Sequence, residues 1–459
     1  MTTFRVTLAQ LSEIIEATHA EEQDVAPDTP AAGITTDTRS LKTGEVFVAL
    51  RGENFDGHEF VPAAIEKGAL AAITDRHLPV PVPQLVVKDT LQAYQAIASW
   101  WRSQFQIPVI AVTGSFGKTT TKELIAAVLG TRGSVLKTQL NYNNEIGVPK
   151  TLLQLTRSHD FAVIEMAMRG PGQIAELARI ARPTIGAIVN AGTAHIGLLG
   201  SEGAIARAKC ELLAEMPPCS IAVINHDSKL LMETAASVWQ GKTVTYGLEG
   251  GDLRGELTDS ETLEVEGVRL PLPLAGRHNA SNYLAALAVA KLLGVSWEPL
   301  TAGLPVVLPE GRARRYDLPN DIVILDESYN AGLESVRAAL HLLAQTPGKR
   351  RIAVLGTMRE LGDRSVEFHR LVGATARQLN LDALFIFADE AEAQAMAQGA
   401  AGIPFVETRV IASELAHAAL VERLKKFVLP GDCLLFKASH AVRLDRVVEQ
   451  FRTEFLPQA

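Results

Sequence analysis

The stretch Ala111-Val-Thr-Gly-Ser-Phe-Gly-Lys-Thr-Thr-Thr-Lys122 decides how the rest of the chain is read. The apolar run Ile107-Pro-Val-Ile-Ala-Val112 ahead of it predicts a buried strand, and Thr119 to Leu129 predicts a helix that Gly130 would end. A loop between such a strand and such a helix lies where a helix N-terminus receives anionic oxygen. Gly114 and Gly117 let backbone N–H groups close on a phosphate, Lys118 adds a point charge, and the Thr119 hydroxyl can ligate Mg²⁺. Ser115, Phe116 and Thr120 complete the set of nucleotide-binding candidates. Val112 stands where the usual eight-residue phosphate-loop pattern has its first glycine, so only Gly-x-x-Gly-Lys-Thr remains. The order strand, Lys-Thr pair, helix separates this segment from a plain glycine turn, and ATP is the expected guest.

The chain has 459 residues and is 47% apolar, enough for several cores and, on length alone, about three domains. A formal net charge of −8 argues against a nucleic-acid surface and leaves small anionic ligands compatible through a local basic cleft. No basic start precedes an unbroken apolar run, and no segment approaches the ~20 apolar residues that span a bilayer. The expectation is a cytoplasmic protein with small-molecule substrates, no nucleic acid and no membrane partner. Cys210, Cys219 and Cys433 lack paired or metal-finger spacing and read as free thiols.

Thr7-Leu-Ala-Gln10 has the form of a capping box before an amphipathic helix with Leu8, Leu11, Ile14 and Ile15 on one face. Short strands such as Glu45–Leu50 surround a helix near Phe60 to Lys67, and Pro79, Pro81 and Pro83 then mark a first boundary. From residue 84 to 308, strand-like runs at Val109–Val112, Phe161–Ile164, Ile185–Val189 and Ile221–Ile224 alternate with helical ones. That alternation predicts a mainly parallel sheet with helices on both faces. A second break at 304–311 precedes runs at Ile322–Leu325, Ile352–Leu355, Ala383–Phe387 and Cys433–Phe436, which predict a small doubly wound domain. The chain is therefore α/β with three domains, at 1–83, 84–308 and 309–459.

Glu165 closes the strand run Asp160–Glu165, the place where a phosphate-loop fold puts its magnesium carboxylate. His195 follows the run Ile185–Asn190, at the carboxyl edge where ligands of open α/β sheets gather. A lone histidine is more often solvated or structural than a ligand, and Lys209, in the helical run 204–213, has the spacing of an ordinary exposed helix lysine.

Together these residues resemble the Mur ligase family, ATP-dependent enzymes that add amino acids to the peptidoglycan precursor. The resemblance extends from Gly33 to Val447. Thr35-Thr-Asp-Thr-Arg39 and Gly52-Glu-Asn-Phe-Asp-Gly-His58 resemble the N-terminal domain that holds the UDP end of the substrate, with Thr36, Asp37, Arg39, Asn54, Asp56 and His58 as its contacts. Asn141–Pro149, Glu165–Gly172 and Tyr329-Asn-Ala331 resemble the branch that adds a dipeptide, which makes Asn143, Asn144, Tyr329 and Asn330 substrate candidates.

The resemblance implies two magnesium ions, one on Thr119 and Glu165 and one on His195. It implies that Lys209 is carbamylated to N6-carboxylysine and helps to hold the second. Asn279 in Gly276–Asn282 resembles the adenine contact, with Asn282 beside it, and helix capping by Asn279 is a compatible second role. Arg312 resembles the arginine that reaches the γ-phosphate, and Asp326 the acidic contact to the ribose. Lys118, Glu165, His195, Lys209 and Arg312 form the catalytic set. The implied reaction joins UDP-N-acetylmuramoyl-tripeptide to D-alanyl-D-alanine through an acyl phosphate, by a monomer.

Three departures fall in the last domain. Gly332 and Leu333 replace the usual Asn-Pro after Tyr-Asn-Ala, Gly356-Thr-Met358 replaces Gly-Asp-Met, and Lys437-Ala-Ser-His-Ala-Val-Arg443 replaces Lys-Gly-Ser-Arg-Gly-Met-Arg. They bear on the dipeptide, not on ATP. The sister branch that adds one amino acid, and an ATPase switch that forms no bond, are the competing readings.

Overall fold

The computed structural model describes residues 4–19, 26–411 and 415–455, so the outermost limits 1 and 459 lie outside the described residues. Three sheets form the frame. The first has the order Thr18–His19, Gln84–Val86, Ala71–Thr74, Glu45–Val48, Gly33–Thr35, parallel except at its first pair. The capping box forms as expected: the Thr7 hydroxyl accepts from the Gln10 N–H at 3.2 Å, and the Gln10 side chain accepts from the Thr7 N–H at 3.1 Å.

The boundary expected at Pro83 is corrected, because Gln84–Val86 is a strand of this first sheet. The prolines interrupt a connection between two adjacent parallel strands, and an exposed connection tolerates proline as readily as an interdomain linker does. The helix Thr90–Ser103 follows, capped by the Asp89 carboxylate.

The central sheet has nine strands in the order Val135–Lys137, Phe161–Glu165, Val109–Thr113, Ile185–Ile188, Ile221–Asn225, Lys242–Gly247, Leu253–Leu257, Thr262–Val265, Val268–Pro271. Pairing is parallel as far as Leu253–Leu257 and antiparallel beyond. Helices Lys118–Gly130 and Arg277–Leu292 cover one face, while Gln173–Ala181 and Glu202–Ala214 cover the other. The first of these ends at Gly130 as expected, but without a left-handed glycine cap: Thr131 caps it at φ −70, and the Thr131 hydroxyl donates to the Val128 carbonyl at 2.7 Å.

The third sheet has the order Arg314–Leu318, Ile322–Asp326, Cys433–Lys437, Arg351–Gly356, Ala383–Ala388, Phe405–Val410 and is parallel except at the first pair. The strands expected from apolar runs are all present. Among the added ones, Leu253–Leu257 to Val268–Pro271 and the edges Arg314–Leu318 and Phe405–Val410 mix charged and apolar residues because one side faces water. Among the described residues, no helix is long and apolar enough to cross a membrane.

Candidate active site

Val109–Thr113 lies between Phe161–Glu165 and Ile185–Ile188 in one parallel sheet, so the phosphate loop, Glu165 and the loop to His195 emerge at the same edge. They open on a cavity of 1530 Å³ lined by all three domains, more than one drug-sized ligand fills. Gly117 starts the helix at φ +75, and a Cβ there would meet Asn282 Oδ1 at 2.8 Å, so only glycine fits. Asn190, which the sequence reading left unassigned, holds the loop open. Its Oδ1 accepts from the Ser115 and Phe116 N–H groups at 2.9 and 3.1 Å, and its Nδ2 donates to the Phe116 carbonyl at 3.0 Å. Those two N–H groups are therefore taken, and the anion-facing donors are those of the helix's first turn.

Lys118 Nζ donates to the Gly114 carbonyl at 2.7 Å, curled over its own loop. Burial pushes its ammonium down from its ordinary value, while nearby Glu165 opposes that shift. Thr119 and Thr120 are buried at the helix start. Lys122, wholly buried, donates to the Thr138 carbonyl at 2.7 Å, and the Thr138 hydroxyl accepts from the Glu165 N–H at 2.9 Å. The helix and the Glu165 strand are thus tied together behind the loop.

Glu165 Oε1 accepts from Asn143 Nδ2 at 2.7 Å, while Oε2 is buried with no hydrogen-bond partner among the described residues. A carboxylate oxygen buried in this way, in a cavity that Thr119 also lines, is the donor a hard cation takes. Among the described residues, no group of three or more His, Cys, Asp or Glu side chains is placed to hold a metal. The partial donor set fits Mg²⁺, which commonly binds to one or two protein oxygens plus substrate phosphates.

His195, at φ +66, lines the cavity, and its Nδ1 is bound to Glu360 from the third domain. Its Nε2 is the ring nitrogen left to meet a ligand. Lys209 is 2% exposed, and burial, reinforced by the charge of Lys118, pushes its amine well below the usual lysine range. It is not the exposed helix lysine that its spacing suggests. Burial pushes the neighbouring Cys210 thiol up to about 12, which leaves it unreactive, and all three cysteines are free.

Asn279 and Asn282 are buried on the helix Arg277–Leu292 and line the cavity. Asn279 is not the helix cap, since Gly276 holds that position and the Asn279 amide donates to the Ala275 carbonyl at 2.8 Å. Asp326 does not face the cavity: it is 4% exposed, and its Oδ1 accepts from the Ser328 hydroxyl at 2.6 Å. Glu327, the next residue, lines the cavity instead, as does His278, and the sequence reading assigned neither. Arg312 lies over the Tyr329 ring at 3.8 Å, and that ring packs on His440 with centroids 5.2 Å apart. Lys437 Nζ donates to the Asn330 carbonyl at 3.0 Å and fixes the same wall.

Thr36, Asp37 and Arg39 line the cavity from the first domain. The Arg39 guanidinium is paired with Asp37 at 2.8 Å and lowers that carboxyl to about 2. Asn144 lines the cavity while its Oδ1 accepts from the Gly147 N–H at 2.9 Å. Asn54, Asp56 and His58 are corrected, for none of them lines the cavity. Asn54 is exposed between Glu53 and Phe55, which do line the cavity, and His58 is 3% exposed and structural. His58 Nδ1 meets Asp56 Oδ1 at 2.6 Å, and Nε2 accepts from the Asp75 N–H at 3.0 Å, which assigns the ring proton to Nδ1. His58→Ala is expected to cost about 2 kcal/mol of stability by denaturant unfolding, with unchanged affinity for a UDP ligand by calorimetry.

Three family models match in succession: "Mur ligase family, catalytic domain" at residues 30–100, "Mur ligase middle domain" at 112–290 and "Mur ligase, glutamate ligase domain" at 311–440. The "UDP-N-acetylmuramoyl-tripeptide--D-alanyl-D-alanine ligase" of Synechocystis sp. is 58% identical over 98% of both chains. The crystal structure of MurF from Acinetobacter baumannii superposes with a TM-score of 0.88 at 31% identity, over 99% of this chain and 100% of that one. The MurF ligase of Thermotoga maritima in complex with ADP superposes with a TM-score of 0.80 at 31% identity, over 92% and 97%. The chain belongs to the Mur ligase family, as a ligase of its MurF branch.

Proposed function

We propose that the protein joins the terminal carboxylate of UDP-N-acetylmuramoyl-tripeptide to the amine of D-alanyl-D-alanine at the expense of ATP. The observation that carries this reading is the single cavity onto which the phosphate loop, the Thr36–Arg39 segment and the Tyr329–Gly332 segment all open. A switch that only hydrolyses ATP needs no such meeting of three domains at one phosphate site.

A carboxylate is a poor electrophile, so its oxygen first attacks the γ-phosphorus, giving an acyl phosphate and ADP. The dipeptide amine then attacks the carbonyl carbon. The C–O bond to phosphate breaks, and the amine loses a proton as the amide forms. Lys118 and Arg312 spread the charge on the transferring phosphoryl group. Asn279 and Asn282 face the adenine side, and Thr36, Asp37 and Arg39 face the UDP end. Asn143 orients Glu165 and Asn144 shapes the wall beside it, while Tyr329 and Asn330 border the dipeptide side.

In this reading Thr119 and Glu165 would hold one magnesium, and His195 with a carbamylated Lys209 would hold a second. Magnesium bound with ATP neutralises charge on the phosphate oxygens. The depressed basicity of Lys209 suits carbamylation, because only a neutral amine adds CO₂. The family resemblance supports a cytoplasmic reaction carried out by a monomer.

Phosphate release from ATP is expected to require both the UDP-tripeptide and D-alanyl-D-alanine, with a pentapeptide product by mass. Release with a single amino acid and the UDP-dipeptide would assign the sister branch. Release with no acceptor would make the protein an ATPase.

A further inference from the structure

The loop that follows Ile185–Ile188 is gripped from the third domain. Glu334, in the first turn of the helix Leu333–Gln345, accepts from the Thr193 N–H at 2.8 Å and from the Thr193 hydroxyl at 3.0 Å. The carboxylate occupies the space a side chain on Gly192 would need, since a Cβ there would meet Glu334 Cδ at 2.9 Å. On its inner side the same loop is bonded to the phosphate loop: the Gly192 N–H donates to Ser115 Oγ at 2.9 Å, beside the Asn190 contacts. Two residues beyond Thr193 comes His195.

Helix capping does not account for Glu334. The Gly332 N–H is taken by the Ser335 hydroxyl at 3.1 Å, so the residue that closes this helix end is Ser335. The Glu334 carboxylate is left to reach across the interface. The interface around it is closely built: the Gly197 N–H donates to the Glu360 carbonyl at 3.0 Å, and a Cβ on Gly197 would meet the Gly362 N at 2.5 Å.

We propose that Glu334 is a positioning residue that converts docking of the third domain into a fixed phosphate-loop geometry, through Thr193, Gly192 and Ser115. The inference rests on the ligase reading above. Its two charge-assisted bonds exist only when the domains meet, so they favour the closed state over the open one. Glu334 directly follows Gly332-Leu333, the pair that departs from the family pattern, and no sequence signal linked it to residue 193.

The test compares wild type, Glu334→Ala, Glu334→Gln, Thr193→Ala and the double variant Thr193→Ala with Glu334→Ala, with dyes on the second and third domains and ADP as the probe ligand. Glu334→Ala is expected to lower the closed fraction with ADP and to lower kcat about tenfold, with KM for ATP changed less than about twofold. Glu334→Gln keeps an acceptor for the Thr193 N–H and should restore most of the loss. Thr193→Ala should fall between, and the double variant should be no worse than Glu334→Ala alone. A wild-type closed fraction in Glu334→Ala, or losses that multiply in the double variant, would overturn the proposal. Should Glu334→Ala fail to fold, Thr193→Ala gives the same readout from the other domain. Because the closed fraction is measured without turnover, it decides the role of Glu334 even where wild type shows no ligation, the outcome that would sink the ligase reading instead.

Discussion

Lys118→Ala is expected to lower acceptor-dependent ligation about 10³-fold while leaving the fold intact. The ammonium is the one charge carried by the phosphate loop itself. In the structure it rests on the Gly114 carbonyl, a contact it can exchange for a phosphate oxygen with a small movement. Burial makes that charge costly without an anion, and Glu165 only partly offsets the cost. Bound phosphate therefore holds the lysine charged more strongly than the empty loop does, and its charge matters most as negative charge moves in the transition state. The check is single-turnover phosphate release together with thermal unfolding. A variant that ligates within tenfold of wild type would remove Lys118 from the chemistry.

Arg312→Ala is expected to lower kcat by about 10²- to 10³-fold with ADP affinity nearly unchanged. The guanidinium carbon lies 3.8 Å from the centre of the Tyr329 ring, and that ring is backed by His440. The contact holds Arg312 at the cavity wall. Gly311 allows the chain to turn there: it has φ +69, and a Cβ would meet the Tyr329 N at 2.8 Å. Arg312→Lys is expected to recover only a small part of the loss, because a lysine has neither the fork nor the stacking face. Calorimetry with ADP separates binding from chemistry. A loss of ADP affinity equal to the loss of kcat would make Arg312 a ground-state contact and contradict its assigned role.

The histidines and acids of the site divide by how far their partners lie along the chain. Lys118, Thr119 and Glu165 were legible because a strand, a glycine turn and a helix start are local events, and each residue's place follows from its own neighbours. Asn190 escaped notice although it ends a recognised strand, because its partners Ser115 and Phe116 lie on the adjacent strand's loop. His58 was misread for the same reason: its ring is held by Asp75, seventeen positions on, and burial there serves stability rather than the cavity. Asp326 and Glu327 adjoin in sequence, and the direction of the chain at the strand end alone turns one inward and the other to the cavity.

By itself, the sequence determined the α/β class, the strands of apolar composition, the phosphate loop and the family, since apolar periodicity, glycine placement and motif order are all local. Only the tertiary structure decided that Gln84–Val86 completes the first sheet, that Lys209 is a buried amine, and that Glu334 reaches the loop before His195 and Glu360 the His195 ring. Desolvation and contacts across domains depend on segments far apart in the chain, 141 positions for Thr193 and Glu334 and 165 for His195 and Glu360, and no local pattern encodes which of them will meet.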